Sequence, residues 1–357
     1  MEIKVTVIIP IYNMELYLAE CLETVTNQTL REIEILCIND GSTDNSLQIL
    51  ENYRKSDTRF VIIDQKNHGV AASRNQGIQM AQGKYVMFMD SDDKYPDEYV
   101  IEKLYEAAEA YHVKIAGGEF SDFDPDGKIN SRSDYENDML GGYLFTTDRI
   151  VEYKEYQFDY GYHRFIYNRQ FLINNQIIFP EFIRFQDPPF MVRAFTLAGR
   201  FYALQKVTYC YRKDHKTIEW DEKRVDALLR GLQMNLQWAW EHELYDLYDL
   251  TVRRIIYEYR EVIMKQFAVS IPNERLLLAV LGELKGDERI KALMWIVIET
   301  YQRMNVKSQE EVQIQKRLEQ EHHIYSLLYK VGRVITWIPR KLKRIIRKAG
   351  FNYDRNS

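Results

Sequence analysis

Apolar and polar positions fall into alternating blocks through the first hundred residues. Val5 to Ile9 is an unbroken run of β-branched residues ending at Pro10, the pattern of a strand buried on both faces. Asn13 is placed to cap a helix whose inner face carries Leu18, Leu22 and Val25. A second strand, Ile33 to Ile38, ends at Asn39-Asp40-Gly41-Ser42-Thr43-Asp44. Asp44 or Ser46 then caps a helix bearing Leu47, Leu50 and Tyr53. A third strand, Phe60 to Ile63, ends at Asp64, and the helix after Gly69 carries Ala71, Ala72, Ile78 and Ala81. The fourth, Tyr85 to Met89, runs into Asp90-Ser91-Asp92-Asp93, where acidic crowding should stop it. This alternation predicts an α/β fold with a mostly parallel sheet and right-handed crossovers.

The polar residues stand at the carboxyl ends of these strands: Pro10, Asn39-Asp40, Asp64 and Asp90. Ligands of open α/β sheets bind there, because strand ends and their loops converge on one crevice. Neither a Gly-x-Gly-x-x-Gly turn nor a Walker loop follows the first strand, so phosphates need metal and basic side chains. Two readings fit Asp90 to Asp93. Crowded oxygen ligands on a tight turn suit a hard divalent ion, Mg²⁺ or Mn²⁺. Alternatively the turn is solvated, with Asp92 or Asp93 capping a helix at Pro96.

Further on, Gly117 to Tyr160 is polar and turn-rich and predicts loops or a short hairpin over the site. Tyr153, Tyr156, Tyr160 and Tyr162 fit a sugar-stacking rim or a half-buried cluster equally well. Asp187 precedes two prolines and could cap a helix. Tyr202 to Tyr211 alternates like a strand and ends in Arg212-Lys213-Asp214-His215-Lys216. From Glu222 the pattern is helical, with Leu228, Leu232, Leu236 and Trp240 at intervals of four. These helices pack on the sheet or on a second copy, and a homodimer is left open. Residues 324–350 hold eight Lys or Arg and no acid, interleaved with apolar residues and Trp337. That is the pattern of a helix lying on an anionic membrane surface.

Composition narrows the class. The chain has 357 residues, 46% hydrophobic and 28% charged, which is globular. A net charge of -5 argues against wholesale nucleic-acid binding. Three widely spaced cysteines fit reduced cytoplasmic thiols. The start at Met1 enters a strand without a charged-then-apolar leader, and no apolar run is long enough to span a bilayer.

The segments 7–13 (Val-Ile-Ile-Pro-Ile-Tyr-Asn), 39–44, 67–77 (Asn-His-Gly-Val-Ala-Ala-Ser-Arg-Asn-Gln-Gly) and 83–93 resemble family 2 glycosyltransferases of the GT-A fold in order and spacing. The resemblance implies an inverting, metal-dependent transferase that uses a nucleotide-sugar donor, usually UDP-linked, with Mn²⁺ or Mg²⁺. By position it implies that Asp40 reads the base, that Pro10, Tyr12 and Asp64 wall the nucleoside, that Asp90 holds the ribose and that Asp92 binds the metal. Arg74 falls where a basic residue approaches the nucleotide, and Arg212, His215 and Lys216 are candidate phosphate clamps, a solvated basic loop being the alternative for His215. Asp187 takes the place of the general base, with Gln186 where the family usually has Glu. Lacking a like-charged neighbour, Asp187 is expected to favour its ionised form.

The implied organisation is a GT-A domain over 1–220, with a nucleotide-sugar half (1–120) and an acceptor half (121–220). A helical extension over 221–323 and a membrane-surface helix over 324–350 complete it. Together with the basic tail this describes a peripheral enzyme on the cytoplasmic face of the plasma membrane. It would move a sugar to a lipid-linked glycan in cell-surface polysaccharide synthesis. The alternatives are a dTDP-sugar donor, or a catalytically silent glycan-binding scaffold, which Gln186 would favour.

Overall fold

Four parallel strands form one half of the sheet. They are β1 (Val5–Ile11), β2 (Ile33–Asp40), β3 (Phe60–Gln65) and β4 (Tyr85–Phe88). Helices α1 (Leu18–Thr26), α2 (Ser46–Ser56) and α3 (Val70–Met80) connect them, and α4 (Val100–Ala110) follows β4. This computed structural model describes residues 2–124, 127–129, 144–213, 219–267 and 271–285. The chain divides into two units, 1–284 and 285–357, and beyond Lys285 the second lies outside the described residues, as does the expected helix over 324–350.

The remaining strands are β5 (Ile115–Phe123), β6 (Arg149–Glu152), β7 (Phe165–Asn168) and β8 (Arg200–Arg212). Short helices α5 (Tyr153–Tyr156) and α6 (Arg169–Asn174), and the longer α7 (Asp187–Ala198), lie between them. The eight-stranded order is β3-β2-β1-β4-β7-β5-β8-β6. β7 runs antiparallel to both β4 and β5, and β8 is parallel to β5. Two reversals cancel, so the carboxyl end of β8 reaches the same rim as those of β1 to β4.

Register aligns that rim. Ile11 pairs with Asn39, and Asn39 with Asp64, so the ends of β1, β2 and β3 stand in one row. Ile8 pairs with Phe88 and accepts a bond from Met89 N–H, which puts Asp90 level with Pro10. Pro10 faces the same side as Ile8, where β4 has ended, so its missing N–H interrupts no ladder. The core beneath the rim is the run of fully buried Val, Ile, Cys37 and Met87 side chains on these strands, with Leu18, Leu22 and Val25 of α1 against them. The cysteines are free and buried.

The middle of the chain departs from expectation. Gly117 and Gly118 look like turn residues but lie inside β5. A Cβ at Gly117 would sit 1.9 Å from a ring carbon of Phe165, so the absent side chain makes room for β7. Tyr153, Tyr156 and Tyr160 are buried in an aromatic core with Phe158, Phe195 and Phe201, and Tyr162 is buried against Phe88, Phe179 and Phe190, which removes all four as a sugar-stacking rim. Nor does Asn13 cap α1: it has φ of 54° and its Oδ1 accepts from the Thr43 N–H, tying the β1 and β2 loops together.

Helices α8 (Glu222–Glu241), α9 (Tyr245–Arg253), α10 (Arg260–Phe267) and α11 (Ile271–Glu283) follow, with a π-turn at Arg254–Glu258 between α9 and α10. They belong to the same unit as the sheet. None of the described helices is long and apolar enough to cross a membrane.

Candidate active site

Arg74, on α3, occupies the centre of the rim. It is only 4% exposed, and its Nη2 donates to Asp90 Oδ1 at 2.7 Å. The guanidinium lies 4.9 Å from the Tyr162 ring centroid and 5.3 Å from that of Phe179. Its Nε and Nη1 have no hydrogen-bond partner, although buried donors are nearly always paired. Burial opposes its charge, but Tyr162 and Asp90 outweigh that and hold its pKa above the ordinary value. A buried cation with spare donors is a ready seat for an anion. Asn75 fixes Phe179 over it: its side-chain amide donates to the Phe179 carbonyl and accepts from the Phe179 N–H, both at 2.8 Å.

Asp40 sets where α3 begins. Buried at the end of β2, it accepts from the His68 N–H at 2.9 Å and the Gly69 N–H at 2.8 Å, the two residues before the helix. Gln65 donates to it as well, at 2.9 Å. Beside it Asn39 Nδ2 donates to Asp64 at 2.7 Å, while Asn39 Oδ1 is buried without a partner. Asp64 is exposed, and Tyr12, one residue past β1, is 48% exposed.

The acidic turn is tied down by β8. Asp90 Oδ1 also accepts from the Tyr162 hydroxyl at 3.1 Å. Burial opposes its charge, yet Arg74, His163 and Tyr162 hold it below the usual carboxylate range. Tyr209 donates its hydroxyl to Asp93 Oδ2 at 2.6 Å and accepts from the Asp90 N–H at 3.1 Å. The Arg212 N–H donates to Asp93 Oδ1 at 2.8 Å, and Arg212 Nε donates to the Asp92 carbonyl at 2.8 Å. Arg212 also pairs with Glu20. Lys94 and Cys210 exchange two backbone bonds, which latch β8 to the turn. The helix-capping reading of Asp93 therefore gives way to a buried role. Burial, with Asp92 and Asp90 alongside, pushes Asp93 well above the carboxylate range.

That crowding is the condition under which a cation is favourable. Mg²⁺-type ions take one or two carboxylates and complete their shell with substrate phosphates and water. Among the described residues no three His, Cys, Asp or Glu side chains gather around one point, so protein ligands alone would not enclose an ion. The donor set fits an ion shared with a bound diphosphate.

Asp187 opens α7, after Gln186, whose side chain makes no cap bond. Its carboxyl is pushed up by burial, only partly offset by Arg74, Arg184 and Arg254. This departs from the expectation of a favoured ionised form: desolvation outweighs the missing acidic neighbour. The charge of Arg74 favours the ionised form of both Asp90 and Asp187. Phosphate-clamp candidates His215 and Lys216 lie outside the described residues. Tyr209, Asn75 and His163 line the same region and were missed, while Tyr162, expected in a sugar-stacking rim or a half-buried cluster, instead donates to Asp90. A hydroxyl or amide on an apolar stretch gives no sequence signal of its partner, and only the Tyr209-Cys210-Tyr211-Arg212 strand end hinted at one.

The model of "Glycosyl transferase family 2" matches residues 6–178. An uncharacterized glycosyltransferase, EpsJ of Bacillus subtilis, is 34% identical over 215 residues, covering 60% of this chain and 62% of that protein. Glycosyltransferase GlyG of Streptococcus pneumoniae is 31% identical over 244 residues, covering 66% of this chain and 75% of that one. The chain thus spans about three fifths of EpsJ's length. Among solved structures, S. aureus TarS 1-349 in complex with UDP-GlcNAc superimposes with a TM-score of 0.61 at 22% identity, over 81% of each chain. That likeness establishes the fold, GT-A with a helical carboxyl-terminal region. With the site's arrangement and the GlyG match, the chain belongs to glycosyl transferase family 2.

Proposed function

We propose that this glycosyltransferase moves a sugar from a UDP-sugar, with inversion, to a glycan acceptor carried on a lipid. The observation that carries the reading is Arg74: a buried cation with unpaired donors, paired to Asp90, whose charge also favours the ionised form of Asp187. In this reading Asp187 accepts the proton of the acceptor hydroxyl as its oxygen attacks the anomeric carbon. The bond from that carbon to the diphosphate breaks on the opposite face, and the electron pair leaves with UDP. Arg74 and Arg212 face the charge that develops there. A base raised by burial suits this step, since proton transfer is most effective when the pKa approaches the working pH.

Asp40, Asp64, Pro10 and Tyr12 form the nucleoside side, and Asp90 the ribose side. A Mn²⁺ or Mg²⁺ ion held by Asp92 would supply Lewis-acid neutralisation of the diphosphate. TarS, solved with UDP and with UDP-GlcNAc, supports the choice of donor through the shared fold. The lipid acceptor and a cytoplasmic, membrane-surface location rest on the basic 324–350 segment.

A thermal-shift panel of nucleotide sugars with Mn²⁺ tests the donor, because a ligand that binds the folded state raises apparent stability with its concentration. The reading expects the largest shift from a UDP-sugar, and Mn²⁺-dependent UDP release that Asp92→Ala and Asp187→Ala abolish. A larger shift from dTDP-sugars replaces the donor. Binding without turnover toward lipid-linked acceptors favours the silent scaffold.

A further inference from the structure

One face of α8 grips the segment that carries Asp187. Gly231, Asn235 and Trp238, four and three residues apart, share that face. Trp238 Nε1 donates to Thr196 Oγ1 of α7 at 3.1 Å. Asn235 Nδ2 donates to Asp159 Oδ2 at 2.9 Å, and the other oxygen of Asp159 lies 3.4 Å from Arg254 in the π-turn. Gly231 meets Phe185, two residues before Asp187. A Cβ at 231 would stand 2.5 Å from Phe185 Cδ1 and 2.9 Å from its carbonyl oxygen.

Phe185 has φ of 60°, in the left-handed region that bulky side chains rarely adopt. Such a residue is strained and persists only where its surroundings over-determine it. Here they do. The buried ring has Arg254 5.7 Å from its centroid and lies edge-to-face with Tyr259, ring centroids 5.9 Å apart, with Gly231 leaving room below. The turn at 185 sets the direction in which the chain enters α7, and so where Asp187 points.

We infer that Phe185 is a positioning residue for Asp187, held in its strained conformation by Gly231 of α8. The helical region is then a working part of the site. The inference rests on the reading of Asp187 as the base.

Gly231→Ala must displace the backbone at 185, whereas Phe185→Ala removes the ring without overpacking. In the full chain both should bind UDP within about twofold of wild type. Both should lower kcat for UDP release, from the UDP-sugar giving the largest thermal shift, by about 10- to 100-fold, the scale of a 1 Å misplacement. A crystal structure of Gly231→Ala should show the Asp187 carboxylate moved by about 1 Å relative to Arg74. Wild-type kcat in both variants, or an unmoved Asp187, overturns the proposal. If Gly231→Ala does not fold, the kcat and UDP binding of Phe185→Ala decide. Wild-type kcat in Asp187→Asn would instead refute the base assignment, which separates the two failures.

Discussion

Arg74 and Asp90 form an ion pair of 2.7 Å in which the cation is almost wholly buried and the carboxylate is 29% exposed. The charge beneath the rim is thus fixed, while the acid facing the cleft stays reachable. Arg74→Met leaves Asp90 without its cation. Stability should fall by about 1–3 kcal/mol, below the usual cost of breaking a fully buried pair because water reaches Asp90. UDP affinity should fall about 10- to 100-fold, the scale of a lost charged hydrogen bond. Chemical denaturation and calorimetry read these, and unchanged UDP affinity would place Arg74 outside the donor site.

Asp187→Asn keeps size and hydrogen bonding but cannot accept the proton. Donor binding should stay within about twofold, while kcat drops on the order of 100- to 10,000-fold. Because burial raises the Asp187 pKa, the acid limb of wild-type kcat/KM should lie above the ordinary Asp range, near pH 4. Activity then rises with pH through that raised value as the base ionises. The limb should vanish in whatever activity Asp187→Asn retains.

His163 lies against Tyr209 with ring centroids 3.8 Å apart and planes tilted by 39°, and burial pushes its pKa down to about 3. The unfolded chain takes up a proton there below about pH 6.5 and the folded chain does not. Stability is therefore complete above pH 6.5 and lost as pH falls toward 3, by about 1.4 kcal/mol per pH unit from this residue. His163→Gln should flatten that slope in urea unfolding measured between pH 4 and 7. An unchanged slope would show that other groups set the acid sensitivity.

The 324–350 segment supplies the membrane expectation. A chain shortened after Glu321 should lose co-sedimentation with anionic vesicles while keeping UDP affinity. Equal sedimentation of both forms would remove the tail as the attachment.

The first half of the sheet could be read from sequence because each buried parallel strand is a solid apolar run that stops at a polar residue. Ile38 before Asn39-Asp40 and Met89 before Asp90 mark the rim almost to the residue. The second half could not, because its glycines and tyrosines carry meanings that depend on distant partners. Gly117 reads as a turn until Phe165 is seen pressing on it, and Tyr156 reads as a rim until Phe195 and Phe201 enclose it. The site divides the same way. Its carboxylates announce themselves by crowding, whereas the desolvation of Asp187 is a property of packing that no neighbouring letter encodes.

The latch between β8 and the acidic turn has a consequence for biosynthesis. Arg212 is 119 positions downstream of the Asp93 carboxylate it satisfies, and Tyr209 is 116. A growing chain exposes the acidic loop long before its counterparts leave the ribosome, and no earlier strand can stand in for them. A product cut short before β8 would carry the most recognisable letters of the family but leave the Asp93 carboxylate without Tyr209 and Arg212. The acidic turn is satisfied only when the last strand docks.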